Sequence, residues 1–122
     1  MKSAVDNALI ERFLNDICKA FPEIQPRMER HDSIMLTDRM EQFAIATTEA
    51  FAQNDIATGT AYLSFMSKRL LDCSPIEHEY IDVYYVENLF WPHGTDAART
   101  GWPHVPANLK TLFVGFHGRT PL

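Results

Sequence analysis

Cysteine is nearly absent from this chain. Cys18 and Cys73 are the only two in 122 residues. They are far apart and in no ligand spacing, so two buried free thiols are expected rather than a disulfide or a metal site. Only Lys19 stands beside Cys18 to lower its pKa, which argues against a thiol nucleophile. Glycine is sparse, and no GxGxxG, P-loop, GxSxG, CxxC or HExxH pattern occurs. Those absences leave no motif-level support for a nucleotide enzyme, an α/β-hydrolase or a zinc protease. No run of 18 apolar residues exists, and Asp6, Glu11 and Asp16 interrupt the start. Neither a membrane span nor a signal peptide is expected, which points to the cytoplasm.

Bases are also scarce. Lys and Arg number 11 against 16 Asp and Glu, for a net charge of −5. A general nucleic-acid binder needs cations to displace counterions from phosphates, so no nucleic-acid partner is expected. The charge is uneven. Residues 40–98 hold nine acids and only Lys68 and Arg69 as bases, while residues 99–122 hold Arg99, Lys110 and Arg119 and no acid. An acidic middle can attract a basic partner, or it can be an ordinary solvated surface.

What is present is helical periodicity with few strand signals. The apolar fraction of 46% is that of a globular chain, and the length suits a single domain spanning 1–122. Val5, Leu9, Phe13, Ile17 and Phe21 predict a helix over residues 4–21, ended by Pro22. Residues 22–33 read as a loop with room for a short helical turn. Leu36, Met40, Phe43, Thr47 and Ala50 or Phe51 line a second helix over 34–53, capped by Asp32 or Ser33, or by Thr37 if it starts later. Asp55 caps a third over 56–72, in which Gly59 marks close packing or a later start. Ser74-Pro75-Ile76-Glu77 is a capping box that opens a fourth helix, running to about Phe90 and stopped by Pro92. Residues 92–105 read as a long loop. A fifth helix over 107–117 turns Leu109, Leu112, Phe113 and Phe116 inward and stops at Gly118. The expected fold is all-α, about five helices in a compact bundle or stacked helical hairpins.

Chemistry-bearing residues concentrate between Ser74 and Pro106. At 100° per residue, Ile76, Tyr80, Val83, Tyr84, Phe90 and Trp91 share one side of the fourth helix, with Glu87 in its middle. A carboxylate on a buried face must be paired, hydrogen-bonded or protonated. Arg39, Arg69, Arg99, a histidine or helix-start amides are candidate partners. Glu87 thus reads either as a structural pair or as a base or ligand in a pocket with Tyr80 and Tyr84. His78 and Asp82, four apart, read as a surface pair or as two metal ligands, to which His93 and His104 of the loop could add; no metal and no cofactor is assigned. Trp-Pro-His occurs at 91–93 and again at 102–104. Each tryptophan can anchor the loop or face a partner, and one can do each.

Phe21-Pro22-Glu23-Ile24 closing the first helix, an amphipathic pair, Tyr-Val-Glu-Asn-Leu-Phe at 85–90 and a terminal amphipathic helix together resemble a family of small helical bacterial proteins carried as a domain of unknown function. Such proteins resemble toxin-immunity proteins in size and acidity. The resemblance implies no catalytic residues.

These features favour a non-enzymatic protein-binding module. Its concrete form is an immunity-type inhibitor meeting a basic toxin through Glu77, Glu79, Asp82, Trp91, His93, Trp102 and His104. The alternative is a small-ligand or metal-binding protein, or an enzyme, with a pocket around Tyr80, Tyr84, Glu87 and the 91–106 loop. A homodimer through the fourth or fifth helix is a third possibility.

Overall fold

Leu36, Met40, Phe43, Thr47, Ala50 and Phe51 all turn inward from one helix, as their spacing predicts, and much of the core is wrapped around them. The computed structural model describes residues 3–30 and 35–122. Within them the regular structure is entirely helical, with seven α-helices instead of about five. They are α1 Ala4–Ala20, α2 Gln25–Glu29, α3 Leu36–Ala52, α4 Ile56–Leu71, α5 Pro75–Glu79, α6 Asp96–Gly101 and α7 Ala107–His117. No helix of the described residues is long and apolar enough to cross a membrane.

The two additional helices lie where loops were expected. α2 occupies part of 22–33, just after a 3₁₀ turn at Pro22–Ile24. α6 sits inside the segment 92–105, capped by the Thr95 hydroxyl on the Ala98 N–H, and runs into a 3₁₀ turn at Trp102–His104. Asp32 and Ser33 lie outside the described residues. Thr37 falls within the first turn of α3 and is not its cap.

α3 and α4 form an antiparallel hairpin. Phe51 near the end of α3 meets Gly59 near the start of α4, and Phe43 packs on Tyr62 at 5.1 Å. Asn54 turns the corner in the left-handed region, φ 61°, which asparagine tolerates. A Cβ at Gly59 would stand 2.6 Å from the Phe51 ring, so Gly59 marks close packing and not a later start. Gly101 plays the same part for α6, where a Cβ would strike Phe90 and Phe51.

The fourth predicted helix departs furthest from expectation. Its capping box forms as read, with Ser74 Oγ accepting from the Glu77 N–H and Glu77 accepting from the Ser74 N–H. After Glu79, however, the coil widens to π geometry over Tyr80–Tyr85 and then tightens to a 3₁₀ turn over Val86–Asn88. Inward positions therefore repeat every five residues. Tyr80, Ile81, Tyr85, Val86, Leu89 and Phe90 are buried, while Val83, Tyr84 and Glu87 are only half-buried. A wheel drawn at 3.6 residues per turn turns Tyr85, Val86 and Leu89 outward, and it sets Glu87 at the centre of the inward side. The coil ends at Asn88, before Pro92. Phe90 takes a left-handed φ of 61° and donates its N–H to Thr48 Oγ1 at 2.8 Å.

Two inward assignments fail at helix ends: Val5 is 70% and Phe116 61% exposed. Each lies near the tip of its helix.

Tyr85 is fully buried, and its hydroxyl lies 2.8 Å from Thr47 Oγ1. Thr47 in turn donates its one proton to the Phe43 carbonyl at 2.9 Å, so Tyr85 is the donor to Thr47. Thr47→Val should cost about 1–3 kcal/mol, because it leaves a buried hydroxyl unpaired. Tyr85→Phe should cost less, since Thr47 keeps its bond to Phe43. In urea denaturation the double variant should lie close to Thr47→Val alone; simple additivity would contradict the chain of bonds.

Candidate functional site

The half-turn that follows the π segment brings the chemistry-bearing residues together. Trp91 leaves the coil just past the buried Phe90 and is 71% exposed. The Trp91–Pro92 peptide is cis. His93 follows, its ring 5.2 Å from Trp91 and 4.7 Å from His117 at the end of α7. Phe116 continues the line at 4.8 Å from His117. On the other flank, His117 Nε2 donates to the Glu87 carbonyl at 3.1 Å, and Glu87 feels Asp82 electrostatically. One arc thus runs Asp82, Glu87, His117, His93, Trp91, with Phe116 beside it. The C-terminal stretch braces it, since the Gly94 N–H donates to the Pro121 carbonyl at 2.7 Å.

Of the expected partner-binding residues, Asp82, Trp91 and His93 are brought into this arc. Trp102 and His104 are not. Trp102 packs against the core through Phe113 at 5.3 Å, with Lys110 5.0 Å above its ring. His104 lies stacked over Phe51 at 5.9 Å. One Trp-Pro-His tryptophan anchors and the other is exposed. Glu79 is half-buried at the end of α5.

Glu77 has structural work. Beyond capping α5, it receives Arg69 at 3.0 Å, and Arg69 also reaches Asp16 of α1 at 2.8 Å while lying over Phe13. This triad joins α1, α4 and α5. Burial works to raise the Glu77 pKa, but the Ser74 bonds and the Arg69 charge outweigh it and hold it low.

Glu87 shows the opposite balance. Partial burial, then the Asp82 charge, push its pKa up, and His117 offsets this only in part. None of Arg39, Arg69 or Arg99 pairs with it among the described residues. Tyr80, Tyr84 and Glu87 line none of four surface clefts formed by the described residues. Tyr80 is buried, its ring tilted against that of Tyr84 at 4.8 Å. Burial depresses the His93 pKa, helped by His117 and Arg119. Both His93 ring nitrogens are shielded from solvent without a hydrogen-bond partner. His78 is exposed on α5, and no three His, Cys, Asp or Glu side chains among the described residues converge as metal ligands.

A family model described as a domain of unknown function (DUF7674) matches residues 14–118. The chain belongs to this family. No curated protein and no solved structure matches it. The DUF7674 match takes in everything from the second half of α1 to Gly118, and so the whole arc from Asp82 to His117. Sequence reasoning missed Phe116 and His117. The signal was available: Phe116 lies one residue before the final helical position and two before the Gly118 stop, where the inward stripe runs out of core to face.

Glu77 and Glu87 should report opposite pH dependences. The raised Glu87 pKa contributes stability that is full below the unfolded carboxyl pKa and lost as pH rises through the folded value. Glu87→Gln should therefore be more stable than wild type at pH 7 and equal to it in acid. The lowered Glu77 pKa contributes stability that is present above the unfolded value and lost as pH falls. Glu77→Gln should be less stable at pH 7, with the gap closing on acidification. Thermal melts of the three proteins from pH 3 to 7 measure both, and gaps of the same sign would contradict the assignments.

Proposed function

We propose that the protein is a non-enzymatic protein-binding module whose contact surface is the arc from Asp82 to Trp91 with Phe116. One observation carries this: Trp91 and Phe116, 71% and 61% exposed, are joined through His93 and His117 into one continuous line of rings. Scattered exposed apolar residues are ordinary, whereas a connected aromatic patch with a polar rim marks an interaction site. Covering such rings is worth roughly 3–5 kcal/mol each by area. The unpartnered His93 nitrogens add support, because shielded polar atoms without partners favour functional surfaces. Asp82 and Glu87 supply an acidic edge that would steer a basic partner. With Glu77 committed to Arg69, that edge falls to Asp82 and Glu87.

In its most concrete form the module is an immunity-type inhibitor that acts in the cytoplasm on a bacterial toxin with a basic face. The support is the likeness of such proteins in size and acidity, and the placing of acids beside aromatics.

The test is a Trp91→Ala/Phe116→Ala variant. Both side chains are exposed, so its folding stability should stay within about 0.5 kcal/mol of wild type. A protein co-purifying with wild type should bind it at micromolar or tighter levels, and the variant should lose about 2 kcal/mol or more of that affinity. No protein partner at micromolar concentration, or equal binding by the variant, would refute the reading. If sedimentation shows a dimer that the variant abolishes, the partner is a second copy.

A further inference from the structure

Three arginines are half-buried among the described residues: Arg27, Arg39 and Arg69. Arg27 pairs with Glu49, and Arg69 with Asp16 and Glu77. Arg39 of α3 pairs with no carboxylate among them. Its Nε is shielded from solvent and has no hydrogen-bond partner. A partly desolvated guanidinium left without an anion is costly, and its planar fork matches a carboxylate.

Arg39 lines a cleft of about 430 Å³ between α1 and α2, within the range of small-molecule sites. Leu14 and Met28, both buried at the cleft wall, and the Cys18 thiol form its apolar side; the thiol is directed to the Met28 sulfur at 3.6 Å. Burial raises the Cys18 pKa, so the thiol stays neutral and acts as apolar lining. Lys19 adds a second cation at the exposed rim. Glu29, also at the rim, is held by Gln25 at 2.7 Å. An adjoining cleft shares Leu14 and Arg39 and adds Glu11.

We propose that this cleft binds a small monocarboxylate with a short apolar body. The carboxylate meets Arg39 with Lys19 nearby, and the apolar body lies along Leu14, Cys18 and Met28. Glu29 and Glu11 set the charge limit: two carboxylates close by oppose a dianion such as phosphate. The site shares no residue with the aromatic arc and stands or falls independently of it.

The probe is hexanoate, with hexanamide as its neutral counterpart, titrated into the full chain and followed by amide chemical shifts. Hexanoate should shift residues 14–19, 25–29 and 39 saturably, and hexanamide should bind at least about tenfold more weakly. Arg39→Gln should reduce hexanoate to the level of hexanamide and leave hexanamide unchanged. Equal affinity of wild type for the two probes would overturn the proposal, and that comparison needs no variant. So would an unaffected Arg39→Gln, or no saturable shift up to about 50 mM hexanoate. Inorganic phosphate binding at these amides as tightly as hexanoate would overturn the apolar part.

Discussion

A buried phenol needs a hydrogen-bond partner, and in this protein the requirement of Tyr85 organises much of the fold. Its hydroxyl reaches Thr47 of α3, which passes its own proton to the Phe43 carbonyl. Thr47 is fully buried, so its pair with the Tyr85 hydroxyl is a polar anchor inside the core. To place Tyr85 there while keeping Tyr80 and Ile81 inside, the coil widens to π geometry. Phe90 then falls inward five residues after Tyr85, and the 3₁₀ turn after Val86 brings Leu89 in beside it. Phe90 then fills the gap left by Gly101, so α6 can close on α3. Trp91, next in sequence to a fully buried residue, has no interior left to enter.

That sequence of consequences explains what was legible in advance. α1, α3, α4 and α7 were readable because each keeps a 3.6-residue stripe between strong stops, and the capping box of α5 was readable because its chemistry is local. The inner face of residues 80–90 was not readable, since period decides which side chain is inside, and the change of period is imposed by α3 from outside the segment. α6 was hidden by prolines and glycines around a six-residue helix whose stability comes from packing on Phe51 and Phe90. Glu87 was placed at the centre of a buried helix face, whereas it lies half-buried at the margin of the core beside His117.

The candidate surface follows from the same constraint. Asp82 in the widened coil and Glu87 in the 3₁₀ turn after it sit half-buried at the margin of the core, and α7 docks across the end of this segment through His117. The aromatic arc is therefore built where two elements terminate together, with side chains presented by a rigid core rather than by a free loop. Glu77 shows the contrast: equally acidic in sequence, it is absorbed by capping and by Arg69 into holding three helices together.

The most direct measurement places a photo-crosslinking benzoylphenylalanine at position 91 or 116 in the native cell, with position 71 as control. Leu71 is 78% exposed at the end of α4, away from the arc. A surface that holds a protein partner gives one discrete cross-linked product from positions 91 and 116 and none from 71. No product at 91, or the same products from all three positions, would contradict the account.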